Sequence, residues 1–320
     1  MEGKSRGSWP DLYTYETDLQ QADIYLMTFR WPYYVTHQKI QIAQEEVARA
    51  KLINKPIVIF SDGDYPSNLP FEDVILFESA GYCSTPGLHY HNAQPTFIAD
   101  DVKVYCHGDL QLRDKREESM VGFYGLASTS RLQRLFRSLK LKKQQFKYQK
   151  GYLKWEPPPF ETSAFRSKVL RQFENQSGIQ TNFILRKRYC AGVTDDKSTH
   201  HPAKVEFVNN NLNSDYTICM RGSVNFSLRF YETLCLGRIP IFIDTDCLLP
   251  FQDEIDDKSY FSWINIKDPP HAPEIFRDFH NKLSNKAFTN LQKACRQLCV
   301  EQIPPDVFHH GFVKKMRGFL

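Results

Sequence analysis

What this sequence lacks narrows it more than what it is rich in. No apolar run approaches the ~20 residues that a membrane-spanning helix requires, and residues 1–16 carry no apolar core of a signal peptide. The expectation is a cytoplasmic chain with no membrane span. The eight cysteines are scattered, without a CxxC pair or a Cys/His ligand spacing, which argues against a zinc module or a disulfide framework. Cys295 and Cys299 share one helix face at i, i+4, and Cys219 and Cys235 lie in apolar runs, so reduced thiols packed in cores are expected. Charge of one sign is not dominant either: the net charge is +4, with 24% charged residues. That balance admits an anionic ligand, but with no aromatic-basic module it gives no reason to expect nucleic acid. No internal repeat and no low-complexity segment is present.

What is there suits two medium α/β domains. The chain has 320 residues, 41% hydrophobic and 14% aromatic, enough for two cores. Strands are predicted at 22–28, 57–60, 74–77 and 96–99, alternating with a helix at 37–52 and with aromatic or polar loops, one of them at 29–36. The charged stretch 111–120 buries little and is the expected linker. A second unit opens at Val121, with a basic helix from Thr129 to Leu141 followed by a lysine run to Lys150. A solvated face and loop is the simplest use of that run; an acidic acceptor glycan, a membrane surface or a nucleic acid are the other partners it could meet. A helix at 161–175, strands at 181–185 and 261–266, and helices at 273–283 and 286–298 follow. The tail 307–320 spaces Phe308, Phe312, Met316 and Phe319 as a packing helix. The expected domains are 1–115, 116–300, and a helix within 301–320 that returns to the first domain.

The stretch that organises the chain is 215–251. It reads as strand (Tyr216–Cys219), polar loop (Arg221–Asn225), helix from Ser227, glycine stop at Gly237, and buried strand (Ile239–Ile243). Arg229 and Glu232 are i and i+3 on that helix, near its N-terminus. Asn225 and Ser227 both suit an N-cap. Free N–H groups and the dipole at this end favour an anion, and Arg221 and Arg229 add bidentate phosphate partners. Glu232, one turn deeper, is placed to accept from sugar hydroxyls. The alternative is a capped helix with an Arg–Glu pair and nothing bound.

The run RGSVNFSLRFYETLCLGRIPIFI, followed by Leu249-Pro250-Phe251 and Asp253-Glu254-Ile255-Asp256, resembles the signature segment of the exostosin family of glycosyltransferases. Asp257 stands where that family often carries a tryptophan. The resemblance implies a GT-B fold, with two Rossmann-like domains facing a cleft, and inverting transfer from a nucleotide-sugar, a UDP-sugar above all, to a glycan acceptor. No metal and no cofactor is expected from it. Arg221, Ser227 and Arg229 would hold the diphosphate, Asn225 would orient the loop, and Glu232 would hold the ribose. Inversion needs a base for the acceptor hydroxyl; the first-domain candidates are Asp64, then Asp62, Glu78, His89 and His91. Asp62-Gly63-Asp64 and Asp244-Thr245-Asp246 match a DxD motif by letters, but ordinary strand-end loops explain both. A binding module of the same fold without turnover is the second reading.

Overall fold

A computed structural model describes residues 14–85, 90–127, 130–186, 201–250 and 260–318. The chain divides into two compact units. One comprises the residues up to Phe97 together with Leu248–Phe251 and Glu301–Leu320; the other runs from Ile98 to Cys247 and from Gln252 to Val300.

The first unit is a sheet of four parallel strands in sequential order: β1 (Tyr25–Leu26), β2 (Ile57–Ser61), β3 (Ile75–Glu78) and β4 (Tyr90–Ala93). The apolar runs of β2 and β3 are buried on both faces, as parallel strands require. On one face α1 (Trp31–Thr36) and α2 (Ile40–Leu52) pack Trp31, Tyr34, Ala43 and Val47 against Ile57, Ile59 and Leu76. On the other, the C-terminal helix Pro305–Arg317 sets Phe312 and Met316 against Val58, Ile75 and Phe77. Its ring centroids lie 5.5 Å (Phe60–Phe312) and 5.4 Å (Phe77–Phe312) apart. The tail therefore returns to the first sheet.

Two expectations for this unit need correction. The aromatic stretch 29–36 is not a loop: Pro32 sits in the first turn of α1, where a missing N–H costs nothing. The fourth strand is Tyr90–Ala93, not 96–99. Pro95 cannot donate to the ladder, so pairing stops before it, and Phe97 instead meets Phe308 at 5.8 Å.

The second unit begins with α3 (Asp101–Tyr105). It continues through β5 (Ser119–Leu126), α4 (Arg131–Gln149), α5 (Thr162–Phe173), β6 (Ile179–Arg186), α6 (Pro202–Leu212), β7 (Tyr216–Met220) and α7 (Leu228–Cys235). It closes with β8 (Ile239–Asp244), β9 (Ser262–Asn265), α8 (Ala272–Lys282) and α9 (Asn285–Gln302). All five strands are parallel, in the order β6-β5-β7-β8-β9. Within the unit that is the doubly wound order 2-1-3-4-5, whose switch point falls between β5 and β7, the place where such sheets bind ligands.

The stretch expected as a linker, 111–120, is tied into this unit. Arg113 donates to the Asp215 carboxylate, Gln292 donates to the Arg113 carbonyl at 2.8 Å, and the Met120 amide donates to Asp215 at 2.8 Å. A charged segment that anchors a buried carboxylate cannot be a free tether, and the division between units accordingly falls earlier, near 97. Helix α6 was not anticipated, since its run of asparagines has low helix propensity. Pro202 at its first turn and an N-cap bond from the Ala203 amide to His201 Nδ1 begin it. Helix α4 also runs past Leu141 to Gln149.

Candidate functional site

The site is built where β7 gives way to α7. All five residues of β7 are buried, so the chain leaves the sheet at Arg221 with its direction fixed. Arg221 is only 3% exposed. Its Nη1 donates to Asn225 Oδ1 at 3.0 Å, and its guanidinium lies 5.7 Å over the Phe160 ring. Asn225 is fully buried and joins two loops. Its Oδ1 also accepts from Thr245 Oγ1 at 2.8 Å, and its Nδ2 donates to the Asp246 carbonyl at 3.1 Å. The loop after β7 is thus held to the loop after β8 by one amide side chain.

Helix α7 starts from Ser227, whose backbone is extended and whose side chain makes no cap bond to the first-turn amides. The Ser227 hydroxyl is buried with no hydrogen-bond partner among the described residues, and so is Arg229 Nε. A buried polar group without a partner costs about 1–3 kcal/mol. Both are donors beside a helix N-terminus without a side-chain cap, a setting that favours an anion.

Arg229 reaches back over the end of β5. A Cβ on Gly125 would stand 2.8 Å from Arg229 Nη2 and 3.0 Å from its Cζ, so the guanidinium lies against bare backbone. Gly125 also has φ +156°, which disfavours a side chain. A third arginine supports the same corner. Arg166, on the buried face of α5, donates from Nε to the Arg221 carbonyl (3.0 Å), from Nη1 to Leu126 (3.2 Å) and from Nη2 to Met220 (3.3 Å). It thereby satisfies the last carbonyls of β5 and β7, the two strands of the switch point. Three guanidinium groups therefore gather at the C-terminal ends of these strands.

Glu232 lies one turn into α7, in a buried ion triad. Lys204, from α6, donates to Glu232 Oε1 and to Asp101 Oδ2, at 2.8 Å each. Burial pushes the Glu232 pKa up against the opposing pull of Lys204, and does the same to Asp101. Burial acts to lower the Lys204 pKa, but the two carboxylates outweigh it and the net shift is upward.

The remaining sequence candidates belong to the first unit. Asp62 pairs with Arg30 at 2.6 Å in an exposed ion pair. Asp64 is exposed in the loop after β2. Glu78, at the end of β3, and His91, in β4, form a buried hydrogen-bonded pair at 2.5 Å, and the second Glu78 oxygen accepts from the Ser67 amide at 2.8 Å. Gly81 closes over this pair: a Cβ there would lie 2.7 Å from His91 Nε2 and 2.8 Å from Glu78 Oε1. His89 lies outside the described residues, as does the acidic segment 253–256. Asp244 accepts from the Cys247 amide at 3.1 Å and from Trp263 Nε1 at 3.3 Å, the bonding of a strand-end turn.

The structure thus brings Arg221, Asn225, Ser227 and Arg229 together, sets Glu232 beside them in an ion triad, and adds Arg166, Gly125, Lys204 and Asp101. Sequence reasoning missed those four. Arg166 had one usable signal: an arginine among the apolar positions of an amphipathic helix. A cavity of about 560 Å³ between β6 and α6, lined by Asn182, Asn210 and Asn213 among others, shares no lining residue with this cluster.

Comparison with known proteins finds no matching family model and no matching curated protein. Among solved structures the chain is similar to TarM, with 9% identity over 82% of this chain and 54% of that one, at a TM-score of 0.31. It is also similar to a mutant of S. aureus TarM in complex with Fondaparinux, alpha-GlcNAc-glycerol and UDP, with 9% identity over 82% and 55% of the two chains, at a TM-score of 0.33. The chain spans about half the length of these structures.

Proposed function

We propose that this chain is a glycosyltransferase of GT-B type that takes a nucleotide-sugar, a UDP-sugar first of all, and transfers the sugar with inversion to a hydroxyl of a glycan. The observation that carries the reading is the gathering of Arg166, Arg221 and Arg229 at the ends of the two switch-point strands, beside an α7 N-terminus that has no side-chain cap. The resemblance of 221–251 to the exostosin signature supports the same assignment.

In this reading Arg229 and Arg221 bind the diphosphate, Ser227 and the first amides of α7 complete its oxygen shell, and Arg166 keeps the Arg221 loop in place. The guanidinium charges stabilise the nucleoside diphosphate as it leaves, which is where negative charge develops. Glu232, held by Lys204, accepts from the ribose hydroxyls. The base is assigned to the first unit. Asp64 is exposed, whereas His91 is oriented by Glu78, an arrangement that suits a base better.

The test is binding followed by turnover. UDP should stabilise the folded chain, by about 2.7 kcal/mol at a hundred times its dissociation constant, and Arg229→Ala should cut that to below about 1 kcal/mol. Screening UDP-sugars should then find one that is hydrolysed or transferred. UDP binding without turnover across a broad acceptor set would reduce the chain to a nucleotide-binding module. No binding of any nucleotide would overturn the reading.

A further inference from the structure

Helix α4 has the wrong side out. In an ordinary surface helix the apolar stripe faces the core and charge faces water. Here the packed side is polar. Arg137 Nη1 donates to Ser163 Oγ at 2.6 Å, Gln145 Nε2 donates to the Pro158 carbonyl at 3.0 Å, and Leu141 is the sole buried side chain described in the helix. The large apolar residues point away: Leu132 and Phe136 are each 69% exposed, Leu135 and Phe146 57%, and Leu139 55%. At ~100° per residue, these five lie within about 60° of one line on the helix surface, and Leu141 lies opposite that line. Isolated exposed apolar residues need no explanation, but a contiguous stripe of five does.

The charges around the stripe say what covers it. Helix α4 contains no acidic residue. Lys140 and Lys147 flank the stripe on one side and Lys142 on the other, while Lys143 lies within it, all exposed. Just past the helix, Lys150 rests its ammonium 5.8 Å from the Phe146 ring. An acidic glycan or a nucleic acid would match the lysines but leave the phenylalanines and leucines in water. A second copy of this helix would match the apolar stripe but oppose lysine to lysine. A bilayer surface with anionic headgroups uses both, since apolar side chains enter the acyl boundary and flexible lysine stems carry their charges to the phosphates.

We propose that α4 is an interfacial membrane helix, lying flat on an anionic lipid bilayer with Leu132, Leu135, Phe136, Leu139 and Phe146 inserted. It spans nothing; its ~28 Å length lies in the plane of the surface. This holds the chain at a membrane whether or not the proposed transfer is correct, because the five inserted side chains face solvent and are none of the residues of the arginine corner.

The test is co-sedimentation of the whole chain with vesicles of phosphatidylcholine, with and without phosphatidylglycerol, across a salt series. Binding is expected to the phosphatidylglycerol vesicles and to weaken with salt. The pair Phe136→Ser and Leu139→Ser should lower the partition coefficient at least ~tenfold with the melting temperature unchanged, since both side chains are exposed. The set Lys140→Gln, Lys143→Gln and Lys147→Gln should remove the preference for anionic vesicles. Absence of vesicle binding would overturn the proposal. So would binding that Phe136→Ser and Leu139→Ser leave intact, which would mean surface charge alone. A dimer in sedimentation velocity that these two substitutions dissolve, without vesicle binding, would assign the stripe to a second copy instead.

Discussion

The two units share a scaffold and differ in what they place at the strand ends. Each is a parallel sheet with helices against it, and in each the strands end in polar side chains. In the first unit the strands run in sequential order, without a switch point among those described. Its strand-end carboxylates already have partners: Glu78 with His91 of β4 and the Ser67 amide, and Asp62 with Arg30. In the second unit the order reverses between β5 and β7, and arginines gather at the reversal. Under the proposed function, the topology of the second unit makes room for a ligand, and the sign of the charges there suits an anion.

Substitutions that exchange these characters test the difference. The largest effect is expected from Lys204→Met, which strands the buried carboxylates of Asp101 and Glu232. Breaking such a cluster costs about 3–5 kcal/mol, to be reduced here because the Lys204 side chain is 30% exposed. Chemical denaturation should show a loss of roughly 3 kcal/mol, partly restored by adding Asp101→Asn. The pKa of Lys204 is raised, so its contribution is present at neutral pH and is lost only as pH climbs through that raised value, above 10.5. A melting temperature unchanged in Lys204→Met would show that the triad adds nothing.

Arg166→Met comes next. It leaves the Leu126, Met220 and Arg221 carbonyls without their shared donor, and should cost about 2–3 kcal/mol. It should also weaken UDP binding by loosening the Arg221 loop. Equal UDP affinity in this variant would separate the support of the corner from its ligand.

A histidine tests the first unit. Burial, with Arg30 nearby, pushes the His309 pKa down to about 4. Between pH 6.5 and 4 the unfolded chain therefore binds a proton that the folded chain refuses, and stability falls as pH falls through that window. The loss attributable to His309 should reach roughly 2–3 kcal/mol, and His309→Gln should flatten that part of the pH profile. The smallest effect belongs to Asp62→Ala. Its partner Arg30 and the aspartate are about half exposed, and such pairs are worth less than about 1 kcal/mol. A large loss of stability or turnover in Asp62→Ala would give that loop a role its geometry does not show.

The sequence made much of this legible, and its failures have physical causes. The strand–loop–helix–strand unit at 215–244 could be read because strand burial and the glycine stop at Gly237 agree locally, whereas the expected N-cap bond of Asn225 or Ser227 is not made: Ser227 does not bond the first-turn amides, and Asn225 ties the two loops instead. The tail helix was equally clear from Phe308, Phe312 and Met316. What escaped depends on contacts distant in sequence. Lys204 meets Glu232 and Asp101 only once α6 and α3 are in place, and α6 hides behind asparagines that favour turns when judged alone. Arg166 acts on carbonyls some 40–55 residues away. Strand β4 was displaced because TFIA has a stronger strand composition than YHNA, yet the latter has the pairing partner.

The most direct test of the central claim is isothermal titration of UDP into the whole chain and into Arg229→Ala, with circular dichroism confirming both folds. The account predicts one UDP per chain and at least ~30-fold weaker binding in Arg229→Ala, the loss expected when a charge-assisted contact is removed. No UDP binding by the folded chain, or equal affinity in Arg229→Ala, would contradict it.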